Sequence, residues 1–321
     1  MSGSFKRIDY SIRPAKHAER RMLCDIFRRV WPFGRVEDYI YVGFGSVWFA
    51  DFSLFHRALG IKDMVSIESA KGSQARIEEN KPFRIPVIYQ HSKDALPKLD
   101  WSRKQFLWLD YDDPIATDML YDMQTVARNC PSGTLLAVSV QCSLAPEVPQ
   151  AEQDKAADAL SALDRFIGRF GRQRFEQAVS PDDLYGWRFG ALSRKILLDE
   201  IYAGIAARNS SSNLEIKFRL ICEIEYEDGA KMTTLVGMLY SSADENLLQE
   251  CRFDSLDFIP TPLSPIRVEV PKLTIREFKR LESQLPLGPD QELLLGSIPE
   301  KEAKNFKQMY RYLPSFAVLE G

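Results

Sequence analysis

Histidine is nearly missing from this chain, with only His17, His56 and His91 in 321 residues. The five cysteines, Cys24, Cys130, Cys142, Cys222 and Cys251, stand far apart, without a CxxC pair or a histidine at ligand spacing. Zinc sites draw on those two residue types, so no metal site is expected. An odd set of scattered thiols reads as reduced cysteine, which suits the cytoplasm. No run approaches the ~20 apolar residues that a bilayer span needs. The opening MSGSFKRIDYSIRP also lacks the apolar core of a secretory signal, so the expectation is neither secretion nor a membrane. Charge of one sign is not in excess: 42 Lys and Arg face 45 Asp and Glu, for a net charge of -3. That balance excludes a surface that is wholly a nucleic-acid footprint, while leaving room for a local basic patch. Nucleophile-elbow serine, P-loop lysine and HExxH helix are all absent, which removes the common hydrolase and NTPase designs.

What remains is an ordinary globular balance, 45% hydrophobic and 27% charged. The segment from Pro14 to Val30 spaces Met22, Leu23, Ile26, Phe27 and Val30 as one helical face, with arginines opposite. Next comes a short β-prone run, Tyr39 to Val42, which stops at Gly43-Phe44-Gly45-Ser46. A helix to Leu59 and a second apolar strand, Met64 to Ile67, closed by Glu68, complete a β-α-β unit. The alternation continues with a helix at Gln74 to Glu79, a strand at Pro86 to Tyr89, and a helix near Asp94. A strand at Gln105 to Leu109, a helix at Thr117 to Asn129 and a strand at Thr134 to Val140 follow. Strands this continuously apolar belong in a parallel sheet covered on both faces, and right-handed crossovers make it doubly wound.

After Ala151 the pattern turns helical as far as Asn209, an insertion suited to a lid or wall. Leu214 to Tyr226 and Lys231 to Ser241 then alternate around Glu227-Asp228-Gly229 as an antiparallel hairpin. The expected organisation is an N-terminal helical cap at 1–35 and a Rossmann-like domain at 36–245, with its insertion at 151–209. A proline-rich connector and small helical appendage occupy 246–321.

The strand, glycine turn, helix, strand and terminal acid form a nucleotide-binding device. Glycine lets a backbone approach a ligand, the helix start offers unpaired N–H groups, and an acid about two dozen residues on accepts from ribose hydroxyls. With these motifs the chain resembles the class I S-adenosylmethionine-dependent methyltransferases over roughly Tyr39 to Ser241. The likeness rests on V-G-F-G-S after the first strand, Glu68 after the second, K-D-A-L-P after the third, L-D-Y-D-D-P after the fourth, and the closing hairpin. It implies a seven-stranded α/β sheet and S-adenosylmethionine as cofactor. Gly43, Phe44, Gly45 and Ser46 would form the loop, and Glu68 would hold the ribose. Ser92, Lys93 and Asp94 would border the adenine, and Asp110 would face the cofactor or the acceptor.

The chain departs from the family at Tyr41, where an acid usually anchors the methionine amino group. Asp51 either compensates or merely stabilises the positive end of its helix. Val47 and Trp48 stand where a third glycine usually sits, and bulky Trp48 also speaks against a dinucleotide dehydrogenase. Asp110, Tyr111, Asp112 and Asp113 gather carboxylates at a strand end, where open α/β sheets bind ligands. Asp110 and Asp112 are the candidate catalytic acids, and Tyr111 a substrate contact. The string resembles the acidic loop of cation-dependent O-methyltransferases, but only Gln141 stands where that group has Asp-Asn, so no metal is expected. Asp113-Pro114-Ile115 lacks the second proline and the aromatic of amino-methylating nucleic-acid enzymes. In the N-terminal helix, Arg13, Lys16, Arg20 and Arg21 would meet an anionic substrate or the cofactor carboxylate, or simply form an outward basic face. Nucleic acid is a further possible partner of that face. Methyl transfer to oxygen is the expected activity, and a methyltransferase-like fold that binds without catalysing is the alternative.

Overall fold

The computed structural model describes residues 13–69, 72–148, 155–175, 179–288 and 290–314. The first twelve residues of the expected cap and the edge of the insertion at 151–154 lie outside them.

The parallel part of the sheet is built from β1 (Ile40–Gly43), β2 (Asp63–Ile67), β3 (Val87–Ile88), β4 (Gln105–Pro114) and β5 (Thr134–Gln141). The antiparallel hairpin β6 (Ile216–Asp228) and β7 (Ala230–Ser241) follows, with β7 paired to β5. Where seven strands are expected, the sheet has eight, in the order β3-β2-β1-β4-β5-β7-β6-β8. The extra strand, β8 (Ile266–Val268), comes from the proline-rich connector and runs parallel to β6. A three-residue edge strand leaves few unpaired backbone groups, which limits edge-to-edge association.

Side chains alternate across the pleat, so β1 and β4 send Tyr41, Phe106 and Trp108 into one core and Val42, Leu107 and Leu109 into the other. On the first face lie α1 (Pro14–Arg28) and α2 (Ala50–Leu59). Phe27 of α1 stacks on Phe106 at 4.3 Å between centroids, and Phe55 of α2 meets Trp108 at 6.1 Å. α8 (Glu245–Glu250), α9 (Ile275–Glu282) and α10 (Glu300–Met309) form the helical tail. Its Phe278, Leu281 and Phe306 join the same core as Phe27. On the second face, α5 (Thr117–Asn129) packs against α7 (Gly186–Asn209), the longer helix of the insertion. Through Phe189, Leu192 and Ile196, α7 covers β6 and β7 as part of the wall of the sheet. α6 (Lys155–Phe170) docks beside it, with Phe166 at 5.9 Å from Phe189. Short α3 (Gln74–Asn80) and α4 (Ser92–Ala95) connect the outer strands.

From β1 the chain steps outward to β2 and β3, then returns across the sheet to β4. The strand order therefore reverses between β1 and β4, and open α/β sheets bind their ligands above such a reversal.

Candidate active site

At the top of β1, Gly43 pairs with Ser66 of β2 and Trp108 of β4. The turn beyond it is fastened to β2 from within: the Gly45 N–H donates to Ser66 Oγ at 3.0 Å and the Ser46 N–H to Glu68 Oε1 at 2.5 Å. Ser46 and Phe49 take left-handed backbone angles, φ 50° and 44°, which residues with a side chain normally avoid. Both glycines are expected to make room for a ligand, and the structure adds a packing reason for each of them. A Cβ on Gly45 would stand 2.4 Å from the Phe49 ring, and one on Gly43 2.5 Å from the Tyr41 hydroxyl. The protein's own side chains already require both. Gly45→Ala is therefore expected to lower folding stability by about 2–3 kcal/mol, as overpacking of a closed core does. Chemical unfolding measures this, and an unchanged midpoint would mean that the Phe49 ring yields freely. Phe44 is half-buried and meets Tyr111 edge-on at 5.2 Å.

Two buried carboxylates flank this turn. Glu68 is 8% exposed, and burial pushes its carboxyl up to about 7, against the pull of the Ser46 N–H and the Ser66 hydroxyl. Both of those hydrogen bonds fall on Oε1. Asp51, in the first turn of α2, accepts the Tyr41 hydroxyl and lies 3.3 Å from where a Gly43 Cβ would be. Burial raises the Asp51 carboxyl, and the Arg20 guanidinium is the main opposing charge. Tyr41, at the position where the family usually has an acid, thus holds the Asp51 carboxylate of the next helix beside Gly43.

Asp110 leads to a second cluster. Lys16, expected among the substrate contacts, is instead 1% exposed. Its ammonium sits 2.6 Å from Asp110 Oδ1, 2.8 Å from Glu19 Oε2 and 4.3 Å from the centre of the Trp108 ring. The Thr234 hydroxyl donates to Glu19, Ser139 lies 2.8 Å from Thr234, and Trp108 Nε1 donates to Ser139 at 2.9 Å. A chain of polar groups thus runs beneath α1 through an aromatic core. Asp228, in the hairpin tip, receives the Lys16 and Ala15 N–H groups at 2.8 and 3.4 Å and so seats the start of α1. Sequence reasoning missed Glu19 and Thr234. The available signal was Lys16 and Glu19 at i,i+3 on the face that also carries Ala15, Met22 and Leu23. Arg13 stands half-buried at the N-cap of α1.

Across the sheet, Ser92 and Tyr111 both donate to Asp122 Oδ2 at 2.5 Å. Burial pushes the Asp122 carboxyl up to about 6 despite these two hydroxyls. The Tyr111 hydroxyl, expected at the substrate, is therefore committed inward to Asp122. Asp122 was also missed, although an acid between Met119, Met123 and Val126 on an apolar helix face is visible in the sequence. Lys93 pairs with Asp118 at 3.0 Å, while Asp94 is exposed. The fourth strand does not end at Asp110 but continues to Pro114, with a register shift between those residues. Asp112 and Asp113 are exposed on this extension. Among the described residues, no group of three or more His, Cys, Asp or Glu is arranged to hold a metal, and no helix is long and apolar enough to cross a membrane. All five cysteines are buried and free.

Residues 8–321 match the family described as "Putative O-methyltransferase". The chain belongs to that family. No curated protein matches the chain in sequence. Among solved structures, an S-adenosylmethionine-dependent methyltransferase from Clostridium acetobutylicum is 9% identical, with 74% of this chain and 94% of that one covered and a TM-score of 0.39. Trm1 from Pyrococcus horikoshii, in complex with S-adenosyl-L-methionine, is 12% identical over 75% of this chain and 58% of that one, with a TM-score of 0.42. Trm5b from Pyrococcus abyssi is 12% identical over 69% and 48%, with a TM-score of 0.36. None of these likenesses bears on what this chain binds.

Proposed function

We propose that this chain is an S-adenosylmethionine-dependent methyltransferase acting on a hydroxyl oxygen. The observation that carries this reading is the pair of buried carboxylates, Glu68 and Asp51, on either side of the glycine turn at the strand-order reversal. Membership of the O-methyltransferase family supports it. Glu68 Oε2 would accept from the ribose, and Asp51 from the ammonium of the methionyl end. Ser92, Lys93 and Asp94 would border the adenine. When bound, the cofactor supplies the methyl group by in-line displacement at its sulfonium. The residues of this chain supply position and charge. Asp110, fixed by Lys16, is a stationary anion at the cleft. Asp112, exposed at the tip of β4, takes the proton that the acceptor hydroxyl loses. The acceptor class is broad, from a small molecule to a nucleic acid.

A second reading is favoured by one observation: the Ser46 N–H is already bonded to Glu68, and Phe49 fills the space at Gly45. A turn so closed suits a methyltransferase-like module that binds a partner without catalysis. Calorimetric titration of the full chain with S-adenosylmethionine decides between them, and one-to-one binding is expected. Absence of both heat and a thermal shift removes the enzyme reading. Binding without turnover on any hydroxylated acceptor favours the module.

A further inference from the structure

We infer that Arg20 is the carboxylate-binding residue of the cofactor site, gripping the amino-acid end of the adenosyl ligand; this rests on the cofactor reading above. Arg20 is 7% exposed, its Nε is sealed from solvent without a hydrogen-bond partner, and no described carboxylate makes an ion pair with it. A guanidinium cannot shed its proton to escape burial. An unpaired charge in an interior is among the costliest arrangements a protein holds, and among the described residues no carboxylate relieves this one, so a ligand carboxylate is a partner that the site would welcome.

The neighbouring buried charges make the contrast plain. On the same helix Lys16 and Glu19 hold each other at 2.8 Å. Elsewhere Arg194, 2% exposed, has Glu223 and Glu225 each at 3.0 Å. Arg20 alone of these lacks such a partner.

Its position identifies the ligand. Among its neighbours are Asp51 and Tyr41, whose ionisation its charge favours. Asp51 in turn lies beside Gly43, and its Oδ2 accepts the Tyr41 hydroxyl. An acid and a base thus stand near each other without an ion pair, at the turn where the ligand would end. A zwitterion fits there, with its ammonium toward Asp51 and its carboxylate across the Arg20 fork. The chemical class is an α-amino acid group carried on a nucleoside.

Two probes separate this inference from the reading beneath it. S-adenosylhomocysteine carries the amino-acid end, and 5′-methylthioadenosine lacks it. Titrated into the wild-type chain, the first is expected to bind more tightly. Arg20→Met is expected to lose about 30-fold or more of S-adenosylhomocysteine affinity while binding 5′-methylthioadenosine as before. Unchanged S-adenosylhomocysteine binding would overturn the assignment, and so would an equal loss for both probes, which marks a structural role. Failure of both probes on the wild type would instead bring down the cofactor reading itself. If Arg20→Met does not fold, Arg20→Gln, which is shorter but keeps N–H donors without the charge, is tested by the same outcomes.

Discussion

Replacing Lys16 with methionine is expected to remove about 3–5 kcal/mol of folding stability, because it leaves two carboxylates without their shared counter-charge. The ammonium is sealed, with Glu19 fully buried beside it and Asp110 partly exposed. The methionine would fill most of the volume, so a loss of this size reports charge rather than a cavity. Burial already raises the Glu19 carboxyl, and Lys16 is the strongest force pulling it down. In Lys16→Met that restraint is gone, Glu19 holds a proton to higher pH, and the loss of stability shrinks as the solution is made acid. Urea unfolding followed by tryptophan fluorescence at two pH values checks both statements. A loss under 1 kcal/mol, equal at both, would show that the cluster relaxes or admits water.

Glu68→Gln is expected to weaken cofactor binding about 10–100-fold, the usual range for a charged hydrogen bond made neutral. The wild-type response to pH should have two opposite signs. Ribose hydroxyls donate to the ionised form, so affinity should climb as pH rises through about 7. Folding behaves conversely. The folded carboxyl titrates near 7 against an ordinary 4.5, so the protonated form is the one the fold favours. Its contribution is complete below pH 4.5 and lost as pH rises through about 7, on the order of 3 kcal/mol in total. Comparing ligand-free wild type with Glu68→Gln between pH 5 and 8 isolates this component. Parallel stability profiles for the two proteins would mean that Glu68 is solvated in solution.

Much of this arrangement was legible before any coordinates. The run from Thr134 to Val140, the helix from Thr117 to Asn129 and the hairpin around Gly229 stand within a residue or two of their expected places, because periodicity and turn chemistry are local signals. Glu68 was likewise placed beside the turn by its spacing from Gly43, and Asp51 by its seat in the first turn of the helix that follows. The partners of Lys16 were not legible. Thr234 lies 215 residues from Glu19 in sequence, and Asp228 lies 212 from Lys16, so only the folded sheet brings them together. β8 escaped notice because three residues amid prolines carry no alternation to detect. Asp122 was hidden by its helix: an acid on the inner face reads as an error in the pattern until Ser92 and Tyr111 arrive from other elements.

The contact between Asp228 and the first turn of α1 also sets an order of assembly. During synthesis the N-terminal helix leaves the ribosome long before the hairpin tip that will seat it, and Thr234 follows later still. Until then Lys16 and Glu19 sit on an apolar surface with only part of their final company. Such a chain can complete its first layer only after its last long strands exist, so the half-made protein is the stage at which a chaperone has most to shield.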